Sequence, residues 1–70
     1  MDDKNIFERD FWILGRLVKA IEYRTVTENG EFYHLKGQCE NFFCNVMESE
    51  RTAAEKEFIK AVTEYLRGYK

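Results

Sequence analysis

Residues 23–35 read YRTVTENGEFYHL, and this stretch is compatible with two different folds. Asn29-Gly30 is a favoured hairpin turn, and the runs on either side of it are rich in β-branched and aromatic residues. On that interpretation Tyr23–Thr27 pairs with Phe32–Leu35. The chain would then be an α+β domain with a short β-hairpin at about residues 23–35 between helices.

The rival interpretation is a helix over residues 31–48. Its apolar side chains repeat at spacings of 3, 4, 3 and 4, namely Phe32, Leu35, Cys39, Phe42 and Val46, with Phe43 beside them. A stripe of this kind is typical of the core-facing side of a helix. Gly37 would lie on the solvent side, where it costs about 1 kcal/mol. Because the stripe continues unbroken across the segment, we favour the helix.

The segment before it also predicts a helix, over residues 5–24. Asn5 and Glu8 have the spacing of a capping box. Apolar residues follow at spacings of 4, 3, 4 and 3, namely Phe7, Phe11, Leu14, Val18 and Ile21, and Ile6, Ile13 and Leu17 widen the stripe. At 100° per residue, these side chains fill an arc of about 160°.

A third helix is predicted over residues 52–68. Thr52 and Glu55 form a second possible capping box. One apolar face follows, made of Ala54, Phe58, Ala61, Val62, Tyr65, Leu66 and Tyr69, with Ile59 at its margin. Three amphipathic helices joined by short connections predict an all-α, three-helix bundle that forms a single small domain over residues 1–70.

Composition excludes several classes of protein. Hydrophobic residues make up 44% of the 70-residue chain, and the net charge is −2, so neither a disordered chain nor a strongly basic one is indicated. Met1–Lys4 does not resemble the start of a secretory signal, and no apolar run is long enough to span a membrane. The two cysteines, Cys39 and Cys44, would point about 140° apart on one helix. We therefore expect reduced thiols and a cytoplasmic protein with no membrane association.

No pattern in the sequence indicates catalysis or a metal. His34, Cys39 and Cys44 do not have metal-ligand spacing, and Glu31 with His34 supplies only one half of a di-iron motif. Cys44 would lie near carboxylates, which disfavour a reactive thiolate. We expect a non-enzymatic protein with no cofactor, no metal and no small-molecule substrate.

Trp12 is the strongest candidate for partner binding. On the predicted first helix it lies opposite the core stripe, surrounded by Arg9, Arg16, Lys19 and Tyr23. Tryptophan among arginines is typical of a binding hot spot. The alternative is a structural role, in which Trp12 stacks on Arg16 or is covered by residues 25–30.

Two further surfaces are predicted on the third helix. Lys56, Lys60, Thr63 and Arg67 form a basic stripe that a helix-turn-helix regulator could place against nucleic acid. Ordinary solvent exposure explains this stripe better, because Glu57 and Glu64 border it. The second surface is apolar, comprising Ile59, Tyr65, Leu66 and Tyr69, and a dimer could bury it. A core of this size is marginal alone, so we expect a homodimer.

These observations favour a small protein-interaction module: an adaptor, regulator or inhibitor that occupies the surface of a partner protein. Its size resembles that of bacterial and phage accessory proteins, which is an analogy only. The alternative function is a helix-turn-helix-like, nucleic-acid-binding transcriptional regulator.

Overall fold

The structure, a computed structural model, describes residues 6–68. It contains a four-stranded antiparallel sheet followed by one helix. The elements are β1 (Phe7–Ile13), β2 (Arg16–Thr27), β3 (Gly30–Cys39), β4 (Phe42–Glu48) and α1 (Arg51–Leu66). The strand order is β1-β2-β3-β4, so each strand pairs with its neighbour in the chain.

Two-residue turns join the strands. The first consists of Leu14 and Gly15, which have φ angles of 51° and 78°. The third begins at Glu40, which has a φ of 58°. Leucine and glutamate rarely adopt this left-handed conformation, so these residue types do not predict the two turns.

The predicted three-helix bundle is wrong. Residues 5–24 and 31–48, which were predicted as helices, contribute instead to the four strands within the described residues. The first predicted stripe is divided, since Phe11 and Val18 lie on the buried face of the sheet, Ile21 lies on the exposed face, and Leu14 lies in the first turn. Asn5 of the first predicted capping box lies outside the described residues.

The hairpin held as the alternative is present, and it is longer than predicted. Tyr23 is opposite His34, Thr25 is opposite Phe32, and the tip is Glu28-Asn29. Its flanking elements are strands, so the predicted placement between two helices is wrong. Side chains alternate between the faces of a strand, and here that alternation prevails over a helical stripe.

The prediction of a C-terminal helix is confirmed, with a different start. α1 begins at Arg51 after Glu50, and no side chain caps its first turn, so the predicted Thr52–Glu55 capping box is wrong. Its buried side chains are Ala54, Phe58 and Val62.

α1 packs on one side of the sheet, which we call the inner face. Together they form the core: Phe11, Ile13, Val18, Ala20, Leu35, Cys39, Cys44, Ala54, Phe58 and Val62. The ring of Phe58 lies 5.1 Å from that of Phe11, and the ring of Tyr65 stacks on Phe42 at 4.8 Å.

Gly37 allows this close packing. A Cβ atom at Gly37 would lie 2.6 Å from Cζ of Phe58, whose side chain is fully buried. Gly37 therefore belongs to the interface between β3 and α1, and the predicted position on the solvent side of a helix is wrong.

Ion pairs connect the start of α1 to the sheet. Glu22 is a buried carboxylate on the inner face, and it pairs with Arg9 of β1 and with Arg51 of α1, the latter at 3.0 Å. Arg9 also donates from Nη2 to Oε2 of Glu55 at 2.5 Å. The buried charge is thus paired on both sides, as a carboxylate in a partly dry site requires.

Candidate functional site

The opposite side of the sheet, the outer face, is the candidate site. It comprises Glu8, Asp10, Trp12, Leu17, Lys19, Ile21, Tyr23, His34, Lys36, Gln38, Phe43, Asn45 and Met47. Within residues 6–68 the single helix lies on the inner face, so no described element covers the outer face. This face places polar and apolar side chains from all four strands in contact with solvent.

The outer face exposes large apolar side chains. Trp12 and Phe43 are each 73% exposed, and they lie on the two opposite edge strands. Leu17, Ile21 and Met47 are also exposed between and beside them. Single exposed apolar residues are ordinary, whereas five on one face of a small domain make that face the candidate interaction site.

Cross-strand pairing organises these residues. Trp12 is directly opposite Leu17. In another row, Tyr23 is opposite His34, which is itself opposite Met47. The rings of Tyr23 and His34 stack at 4.5 Å with an angle of 3° between their planes. Nε2 of His34 lies 2.9 Å from the Thr25 hydroxyl, which fixes the ring in this orientation.

The charges on this face balance. Glu8 and Asp10 lie on β1, Lys19 lies on β2, and Lys36 lies on β3. Asp10 is directly opposite Lys19. Between them and Phe43 is a shallow hollow of about 420 Å³. The face therefore combines an apolar surface with charges of both signs.

The structure separates the residues that were predicted to surround Trp12. Trp12, Lys19 and Tyr23 share the outer face, whereas Arg9 lies on the inner face, paired with Glu22 and Glu55. Burial alone would lower the pKa of Arg9, but the hydrogen bonds that its guanidinium donates to Glu55 and Glu22 outweigh burial and raise that pKa. Arg9 is thus a structural cation in this fold.

Arg16 lies at the end of the sheet beside the β3–β4 turn. It forms an ion pair with Glu40, which also accepts a hydrogen bond from the Tyr65 hydroxyl at 3.1 Å. Hydrogen bonds from Arg16 and Tyr65 lower the pKa of Glu40. Arg16 is held away from Trp12 by this exposed cluster.

The residues of the predicted dimer surface are divided. Ile59 is 40% exposed, but Tyr65 and Leu66 pack against the core of their own chain. Tyr69 lies outside the described residues. Only part of this apolar set is therefore free for a second subunit.

The basic stripe Lys56, Lys60, Thr63 and Arg67 lies on the side of α1 that is turned away from the buried residues. Residues 6–68 contain one helix, so the helix-turn-helix arrangement that was predicted to use this stripe is wrong.

Cysteines and histidine have no shared site. Cys39 and Cys44 are buried free thiols on the inner face of neighbouring strands, and not 140° apart on one helix as predicted. Burial raises the pKa of the Cys44 thiol, whereas the prediction attributed its low reactivity to carboxylates. Among the described residues, no group of three His, Cys, Asp or Glu side chains could hold a metal ion. Nor is any helix in that part of the chain long and apolar enough to cross a membrane.

Sequence reasoning missed four of the five exposed apolar residues on this face. Leu17 and Ile21 were assigned to the core stripe of the first helix, Phe43 was placed beside that of the second, and Met47 was assigned to neither. The adjacent apolar pairs Leu17-Val18 and Phe42-Phe43 were the available signal, because adjacent residues in a strand point to opposite faces.

Comparison of the chain with protein-family models, with curated proteins and with solved structures finds no match.

Proposed function

We propose that this protein is a small, non-catalytic interaction domain that binds a partner protein through the outer face of its sheet, as an adaptor, regulator or inhibitor. The carrying observation is the four-stranded face that no element of residues 6–68 covers, with its five exposed apolar residues: Trp12, Leu17, Ile21, Phe43 and Met47. Trp12 is the expected hot spot, because tryptophan dominates the energetics of many interfaces.

The chemistry of the face favours a protein over a nucleic acid. Its two acidic and two basic side chains, Glu8 and Asp10 with Lys19 and Lys36, leave no positive field for phosphates. Apolar side chains on both edge strands, with charges of both signs on β1, β2 and β3, match the mixed composition of an ordinary protein interface. The partner is therefore expected to present apolar patches together with charges of both signs. Two buried free thiols support a place in the reducing cytoplasm.

The test begins with capture of the partner on the immobilised protein from nuclease-treated native lysate. The captured protein is then purified and titrated against three baits: the unmodified chain, the outer-face variant Trp12→Ala, and the control Lys56→Ala/Lys60→Ala on the exposed side of α1. We expect the outer-face variant to bind at least about tenfold more weakly, and the helix variant to bind as the unmodified chain does.

The free energy of unfolding of each variant is the control for correct folding. The Trp12 side chain is mostly exposed, so Trp12→Ala should lose no more than about 1 kcal/mol, mainly from the cross-strand contact with Leu17. Equal binding by all three baits would contradict the proposal, as would loss of binding only with the α1 variant. Binding that disappears with nuclease treatment and weakens steeply with salt would favour a nucleic acid instead.

A further inference from the structure

β4 forms one free edge of the sheet, and this edge lacks the usual protection. β4 carries no charge until its last residue, Glu48, and its register with β3 runs without a bulge. Apart from the hydrogen bonds within the sheet and within α1, the backbone hydrogen bonds of residues 6–68 lie only at the two ends of α1. Among residues 6–68, no backbone group therefore forms a hydrogen bond with the free edge of β4. Long, uncharged edges of this kind act as templates for another strand.

The opposite edge differs in its chemistry. β1 carries Glu8, Arg9 and Asp10 in its middle. Charged side chains on an edge strand oppose pairing with a second strand. The contrast between the two edges singles out β4.

The register of the β3–β4 hairpin fixes which backbone groups of β4 are free. Cys39 and Phe42 flank its two-residue turn and form the first hydrogen-bonded pair. Hydrogen-bonded and non-hydrogen-bonded pairs then alternate along the strands. Phe43, Asn45 and Met47 consequently direct their N–H and C=O groups away from β3.

The side chains of the same three residues lie on the outer face. Phe43 and Met47 are 73% and 57% exposed, and Asn45 between them is exposed as well. If a second β4 pairs antiparallel with Asn45 on the two-fold axis, Phe43 of each copy lies directly opposite Met47 of the other. Each aromatic ring then contacts a thioether, a favourable pair, and the amides of the two Asn45 residues meet at the centre.

We propose that β4 pairs with β4 of a second copy of this chain, in the antiparallel register centred on Asn45, and joins two four-stranded sheets into one of eight strands. The arrangement is isologous, because the same residues are used on both chains. In this dimer both α1 helices lie on one side of the eight-stranded sheet, and the two outer faces form its other side. This pairing does not depend on the outer face having a protein partner.

Sedimentation equilibrium and amide hydrogen exchange test the pairing together. Three proteins are compared over a wide concentration range: the unmodified chain, Asn45→Lys, and Asn29→Lys at the tip of the β2–β3 hairpin. In the proposed register Asn45→Lys places two like charges opposite each other, whereas Asn29→Lys makes the same chemical change far from β4. We expect the unmodified chain and Asn29→Lys to reach twice the mass of one chain, and Asn45→Lys to weaken dimerisation at least about tenfold.

Exchange tests the register itself. The amides of Phe43, Asn45 and Met47 should be protected at high concentration and exchange faster on dilution, while those of Cys44 and Val46 stay protected by β3 in both states. Three results would overturn the proposal: a monomer at all concentrations, equal dimerisation of Asn45→Lys, or a dimer whose Phe43, Asn45 and Met47 amides exchange freely. Circular dichroism of each variant verifies that it is folded, so a change in mass reports assembly.

Discussion

Gly37 is the residue on which the packing of α1 against β3 depends. Its missing side chain lets the buried ring of Phe58 lie against the strand backbone. Protein cores have little spare volume, so an added methyl group must displace something. A glycine inside a strand is otherwise unfavourable, which makes close approach the physical reason for this one.

We expect Gly37→Ala to lower the free energy of unfolding by about 1–3 kcal/mol, because the new Cβ would overlap Phe58. A double-mutant cycle with Phe58→Leu isolates the cause. In the Phe58→Leu background, which is itself destabilised by the lost ring, Gly37→Ala should cost clearly less. Chemical denaturation of the four proteins measures both values. An equal cost of Gly37→Ala in the two backgrounds would show that contact with Phe58 is not responsible.

At the scale of elements, the attachment of α1 to the sheet depends on Glu22 as well as on the apolar core. The carboxylate lies between Arg9 of β1 and Arg51 of α1. Arg9 extends the network to Glu55 of the helix. Glu22 is buried and Arg9 mostly so, which makes this pair less sensitive to salt than the exposed pair of Arg16 and Glu40.

We expect Glu22→Gln to destabilise the protein by about 2–3 kcal/mol, because it leaves Arg9 short of a charged acceptor in a partly buried site. Glu40→Gln is the matched control, since it breaks an exposed ion pair of the same residue types. Its effect on the unfolding free energy should be smaller and should shrink as salt is added. The account of the network would be wrong if both substitutions had equal and equally salt-dependent effects.

The elements differ in how far the sequence could predict them. α1 was predictable because Ala54, Phe58 and Val62 repeat at helical spacing on a segment with polar residues on its other side. The strands were obscured because both sheet faces carry apolar residues. Val18 and Ala20 point inward while Leu17 and Ile21 point outward, so period-two alternation is hidden and a helical stripe can be traced through both faces.

The residues at the turns also made the sheet difficult to predict. Asn29-Gly30 correctly indicated a hairpin, although the turn itself is Glu28-Asn29 and Gly30 begins β3. By contrast, Leu14-Gly15 and Glu40-Asn41 place a leucine and a glutamate at positive φ. Neither residue is typical of such a turn. The feature that defeated the fold prediction, an apolar outer face, is also the candidate functional site. Local rules are expected to fail where a sequence serves binding as well as folding.

At the scale of the whole molecule, residues 6–68 combine a small core with a sheet face that none of these residues covers and that other molecules are proposed to cover. The buried apolar residues within residues 6–68 all belong to one core between the inner face and α1. The exposed Trp12, Phe43 and Met47 contribute little to that core. Association with another molecule would bury these side chains and add to the stability of the fold by mass action.

The two proposed interfaces share Phe43 and Met47 and are separable at Trp12. Pairing of β4 covers Phe43 and Met47 at one edge, whereas Trp12 lies on the opposite edge strand. A dimer formed through β4 thus leaves Trp12 in solvent. A change at Trp12 reports the partner-binding face alone.

Fluorescence of Trp12, the single tryptophan of the chain, tests the central claim most directly. In the free protein we predict long-wavelength emission that acrylamide quenches readily, with the same result for Asn45→Lys. Addition of the purified partner should shift the emission to shorter wavelength and reduce quenching, because the indole becomes buried in the interface. Shielded emission from the free monomer, or unchanged quenching in the saturated complex, would contradict the claim that the outer face is the binding surface.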